Sequence, residues 1–157
     1  MRKRAITPIP QSASLSEERW LDLESAAAVE VTSEEKDHPI ESALVSKEKR
    51  GWLAAKPGAQ TIRIIFDEPQ KLRCIWLVFE EREIERTQEF VLRWSPDMGH
   101  SFREIVRQQW NFSPPDTARE IEKYQVELSD VKIIELIIVP DKSGGEARAS
   151  LESLQLA

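Results

Sequence analysis

Gln60-Thr-Ile-Arg-Ile-Ile-Phe66, Lys71-Leu-Arg-Cys-Ile-Trp-Leu-Val-Phe79 and Glu89-Phe-Val-Leu-Arg-Trp94 decide the fold of this chain. In the first, Ile62, Ile64 and Phe66 alternate with Thr61, Arg63 and Ile65. In the third, Phe90, Leu92 and Trp94 alternate with Glu89, Val91 and Arg93. Alternation with period two turns one set towards a core and the other towards solvent. Leu72 to Phe79 is nearly all apolar, β-branched and aromatic, as expected of a strand covered on both faces within a layered β fold.

Further strands lie on either side. Ala28-Val-Glu-Val-Thr-Ser33 alternates cleanly, Phe102 to Trp110 forms another, and Tyr124, Val126 and Leu128 face inward opposite Gln125, Glu127 and Ser129. Val131 to Val139 is a second long apolar run. Turn signals separate these segments: Lys56-Pro-Gly58, Asp67-Glu-Pro69, Ser95-Pro-Asp-Met-Gly-His100 with Gly99 at φ > 0, Asp130, and Pro140-Asp-Lys-Ser-Gly-Gly145. Residues 34–51, 80–88 and 111–119 are read as loops, with one helical turn over 40–44. In the last strand Ala147, Ala149 and Leu151 keep one parity and Leu154 and Leu156 the other. A strand that changes face needs a bulge, here near Glu152-Ser153. Ser16, followed by Glu17 and Glu18, reads as the cap of a short helix running to about Ser25, with Trp20 covering a sheet. Residues 1–14, polar and proline-bearing, read as a loose arm, and 15–157 as a single domain. The pattern predicts an all-β, eight-stranded antiparallel sandwich with a short N-terminal helix.

Composition narrows the function. The 157 residues carry 40% hydrophobic and 32% charged side chains and a net charge of −6. That is enough for one core, and nucleic acid is not expected as a partner. No run approaches the roughly 20 apolar residues of a membrane span. The basic start Met1-Arg-Lys-Arg4 lacks a following apolar segment, so no signal peptide is read. With Cys74 as the single cysteine, inside a buried strand, a reducing, cytoplasmic setting is expected. His38 and His100 have no partners at metal-ligand spacing, and the five glycines make no phosphate loop, so an enzyme is not expected.

The order of elements resembles a known family. It runs from Val29-Glu-Val-Thr-Ser-Glu34 and Trp52 through the opening strands to Gln88-Glu-Phe-Val-Leu-Arg-Trp-Ser-Pro-Asp97, Ser101-Phe102, 131–139 and 149–156. This is similar to the discoidin, or coagulation-factor type C, domains of the galactose-binding-domain-like fold. The resemblance implies a jelly roll whose ligand is held by three loops at one end, by position 34–46, 47–57 and 80–88. It implies galactose-type sugars, anionic lipid surfaces or proteins as ligands. The chain departs from the family at several points. Cys74 cannot form the family's disulfide, Val45-Ser46 stands where sugar binders often carry Asp-Gly, and Ser153 replaces a late acid. No calcium and no other cofactor is therefore expected. Glu80-Glu-Arg-Glu-Ile-Glu-Arg86 is too anionic for a membrane surface.

A sugar site pairs an aromatic platform with side chains that bind hydroxyls. On the three loops the candidates are His38, Lys49, Arg50, Trp52, Arg82 and Arg86, with Trp52 read either as the platform or as a core plug at a strand start. Arg107, Trp110, Asn111 and Phe112 form a second candidate patch. The expected function is non-catalytic recognition of a carbohydrate or glycoconjugate through the loop end. A cytoplasmic protein–protein interaction module of the same fold is the alternative.

Overall fold

A computed structural model describes residues 20–45 and 50–157. Strands β1 (Ala27–Val31), β2 (Trp52–Pro57), β3 (Gln60–Glu80), β4 (Arg86–Ser95), β5 (Arg103–Phe112), β6 (Arg119–Val139), β7 (Arg148–Leu151) and β8 (Ser153–Leu156) build an antiparallel jelly-roll sandwich. Two helical turns accompany them, α1 (Leu23–Ala26) and α2 (Glu41–Leu44). Residues 1–19, which hold the expected arm and helix start, lie outside the described residues; within the described ones the helix expected to reach Ser25 is only the single turn α1, which starts after Asp22 in extended backbone. Trp20 packs at a tilt against Trp76, ring centroids 5.6 Å apart, and so covers the sheet as expected.

The scaffold is a ribbon of two 21-residue strands, β3 and β6, folded in half. One half pairs Gln60–Ile65 with Ile133–Ile138; the other pairs Cys74–Glu80 with Arg119–Gln125. Layer one runs β1-β3-β6-β4-β5, and β8 joins the other half of β3 in layer two, while β2 and β7 pair separately. Asp67-Glu-Pro69 and Asp130 are therefore not turns between strands, as expected from sequence, but corners within strands. The ladder survives there through register shifts between Ile65 and Leu72, and Asp130 takes φ 58°. The same residue types serve turns and bulges, because both need a backbone that leaves the extended region.

Folding the ribbon brings its two free ends, Gln60/Val139 and Glu80/Arg119, to one end of the sandwich. The core between the layers contains Ile62, Ile64, Phe66, Leu72, Leu77, Phe79, Phe90, Leu92, Ile134, Leu136 and Ile138. The expected alternation in 60–66 and the covering of 72–79 both hold. β2, read as part of a loop, is a strand that pairs with β7. The expected parity change is real: β7 pairs β2 while β8 pairs β3, and Glu152 is the joint, its N–H donating to Val78 O at 2.9 Å. Cys74 is buried, and burial raises its thiol pKa, as suits an inert core residue.

On the outer face of layer one a rung of charges crosses four strands. Glu135 of β6, fully buried, accepts from Arg63 of β3 and Arg93 of β4, and Arg63 reaches Glu30 of β1 at 3.9 Å. All four occupy paired positions, so the rung fixes the register.

Candidate functional site

The end where the ribbon's tips meet carries an open cleft of about 290 Å³, lined by Arg50, Gly51, Trp52, Glu80, Arg82, Ser150, Leu151 and Glu152. Its geometry follows from the joint between β7 and β8. Gly51 has φ 72°, and a Cβ there would meet Glu152 Cα and Leu151 O at 3.0 Å. Only glycine lets the Arg50 segment lie this close to the joint. His38 fastens the same segment, with Nδ1 3.1 Å from Arg50 O, and its own carbonyl accepts from Leu53 N–H at 3.2 Å.

The cleft is lined with opposed charges. Arg82 donates to Glu80 at 2.7 Å and keeps 78% of its side chain exposed. Arg119 lies 3.6 Å from Glu152. The Arg82 hydrogen bond holds the Glu80 carboxyl below its ordinary range, whereas burial and the neighbouring Glu80 raise that of Glu152. Two adjacent carboxyls of unlike pKa beside exposed guanidinium groups provide both acceptors and donors for hydroxyls.

Of the candidates read from sequence, Arg50, Arg82 and Trp52 line this cleft, and His38 supports it from behind. Lys49 lies outside the described residues. Trp52 is not a platform: it is 1% exposed, and its indole N–H donates to Ser33 O at 3.0 Å. As the first residue of β2, opposite Leu151, it points into the core. Arg86 is not a ligand contact either. Its side chain is 1% exposed and donates to Glu81 (2.7 Å), Gln88 (3.2 Å) and Pro140 O (2.7 Å), with the guanidinium 4.7 Å over the Phe112 ring. It ties the 81–85 loop to layer one.

The second patch divides across a strand. On β5, Arg107 and Asn111 face outward, Arg107 paired with Glu89 (2.7 Å) and Glu104 (3.0 Å) and Asn111 accepting from Thr87. Phe112 faces inward and is fully buried, and Trp110, also facing inward, is half-buried. Alternation along β5 forbids the four from sharing one surface. The acids Glu80 and Glu152, which sequence reading passed over, are brought together only by the joint; the parity change at Glu152-Ser153 was the available signal. Among the described residues no group of three or more His, Cys, Asp or Glu could hold a metal ion, and no helix is long and apolar enough to cross a membrane.

No protein-family model and no curated protein sequence matches the chain. Solved structures do resemble it. A family 32 carbohydrate-binding module from a family 31 glycoside hydrolase of Clostridium perfringens superposes with TM-score 0.65 at 16% identity, over 87% of this chain and 93% of that one. The family 32 module of C. perfringens NanJ, in complex with galactose, gives 0.63 at 12%, over 83% and 92%. A pectin-binding carbohydrate-binding module gives 0.62 at 18%, over 84% and 90%. The fold is that of the carbohydrate-binding modules of family 32 and their galactose-binding-domain-like relatives.

Proposed function

We propose that the chain is a non-catalytic carbohydrate-binding module that holds a sugar in the cleft at its loop end. The observation that carries this reading is the cleft itself. Exposed Arg50 and Arg82 stand there beside the Glu80–Glu152 carboxyls, at the end of the sandwich where the ribbon's tips meet. Guanidinium groups donate to ring hydroxyls, and Glu80, held as a carboxylate, accepts from them. The fold's resemblance to modules solved with galactose and to one that binds pectin supports the same class of ligand. The discoidin-type kinship expected from the sequence, the cytoplasmic setting and independence from calcium belong to the same proposal. The resemblance to modules that bind sugars supports binding rather than turnover.

A glycan array, run with calcium and with a chelator, tests it. Binding should appear, be unchanged by the chelator, and fall about tenfold in Arg50→Ala and Arg82→Ala, as loss of a charged hydrogen-bond donor implies. Protein recognition by the same end is the second reading. It is favoured by Ile84, 45% exposed on the 81–85 loop among charged neighbours. Silence on every glycan, together with a defined protein partner whose binding Ile84→Asp abolishes, would replace the first reading by the second.

A further inference from the structure

The sandwich has a second feature suited to a sugar, on its flank and separate from the loop end. Layer one extends one strand further than layer two on this side: β4 faces the N-terminal half of β6, as Phe90 against Tyr124 (6.5 Å) and Gln88 against Glu120 (3.2 Å) show. β5 lies beyond β4, and among the described residues no strand lies opposite it. Its inward residues Val106, Gln108 and Trp110 are consequently only half-buried, and so are Glu122 and Tyr124 on the edge of β6. Together they form a ledge with Trp110 on one wall and Glu122 and Tyr124, whose hydroxyl lies 3.3 Å from Glu122, on the other.

One polar atom at the back of this ledge has no hydrogen-bond partner. Trp110 Nε1 is shielded from solvent and has no acceptor, and Trp110 pairs across the strands with Gln88, which donates to Glu120 Oε1, while the Glu120 carboxyl also meets that of Glu122. Glu120 as a whole is fully buried. Buried donors are nearly always satisfied, so an orphaned N–H marks a place where a bound group supplies the missing acceptor.

We propose that this ledge is a second carbohydrate subsite, taking a neutral sugar unit whose apolar face lies on Trp110 and whose hydroxyls reach Trp110 Nε1, Gln108 and Glu122. An aromatic wall with a free N–H, an amide and a carboxyl is the inventory that ring stacking and hydroxyl binding require. An acidic sugar finds no guanidinium to meet its carboxylate there, because Arg86, the nearby cation, is occupied by Glu81, Gln88 and Pro140 O. The inference stands apart from the loop-end reading, and the two fail separately.

The test follows the indole N–H resonances of the tryptophans in the wild-type chain, with that of Trp110 assigned by its loss in Trp110→Phe. Neutral di- and tetrasaccharides of galactose, glucose and mannose are added at about 10 mM, enough to saturate a site with a Kd near 1 mM, with a galacturonic acid tetrasaccharide as the acidic control. At least one neutral saccharide should move the Trp110 resonance, equally in Arg82→Ala, and its apparent affinity should fall about tenfold in Glu122→Ala. A Trp110 resonance unmoved by every neutral saccharide overturns the proposal, and so does one that moves only with the acidic control. A shift lost in Arg82→Ala overturns it too, because it would report the loop end.

Discussion

Arg82 and Arg86 are four residues apart and identical in chemistry, yet they have opposite roles. Arg82 is 78% exposed on its side chain and answers only to Glu80, whereas Arg86 is enclosed and donates to three partners. Removing one member of a buried, hydrogen-bonded charge pair strands the other, which costs about 3–5 kcal/mol. Urea melts should therefore show Arg86→Ala losing about that much, with the Arg82→Ala midpoint left where it was. Trp52→Ala should rank with Arg86→Ala, at about 3–5 kcal/mol, because it opens a cavity beside Leu151 and orphans Ser33 O. Equal melts for the two arginine variants would mean that the 81–85 loop does not depend on its buried anchor.

At the scale of elements, the joint between β7 and β8 couples fold to site. Gly51→Ala should destabilise the chain by about 1–3 kcal/mol, since it combines a positive φ with a Cβ only 3.0 Å from backbone atoms of Leu151 and Glu152. It should also weaken glycan binding, because the Arg50 segment must move off the joint; a variant that melts lower but binds unchanged would show that the cleft does not need that close approach. The charge rung makes its own prediction. Glu135→Ala removes two opposite-charge pairs across β3, β6 and β4, worth roughly 0.2–1 kcal/mol each, and chemical denaturation should register their sum. These elements also show what could be read from sequence. Alternation in 60–66 and 89–94, and the change of parity after Leu151, depend on local periodicity and so were legible. Asp67-Glu-Pro69 and Asp130 were misread, because whether such residues end a strand or merely bend it depends on a ribbon partner far along the chain. Arg86 was misplaced for a similar reason, while of the two readings of Trp52 the core plug at a strand start is the one found. Both begin strands, and which face a strand's first residue takes is set by its neighbours across the sheet: Leu151 for Trp52, and Phe112 for Arg86.

For the whole molecule, opposing titrations limit the pH range of greatest stability. On the acid side, hydrogen bonds from Lys142, Arg107 and Gln109 bring Glu89 down to about 2, and Ser101 and Ser95 do the same for Asp97. A carboxyl with a depressed pKa contributes stability that is present above its ordinary value and is lost as pH falls towards 2. Glu120 acts in the opposite sense. Burial, reinforced by neighbouring Glu122, pushes it up to about 8, so the fold favours its neutral form. A raised pKa contributes stability that is complete below the ordinary carboxyl value near 4.5 and is lost as pH rises through about 8, where the buried group must ionise. Stability should therefore be greatest between the two ranges, near pH 5, and decline on both sides. Glu120→Gln keeps an oxygen to accept from Gln88 and removes the titration. Urea midpoints measured from pH 5 to about 9 should fall steadily in the wild type and stay nearly level in Glu120→Gln. Parallel curves for the two would mean that Glu120 is already ionised in the fold, with solvent reaching the back of the Trp110 ledge.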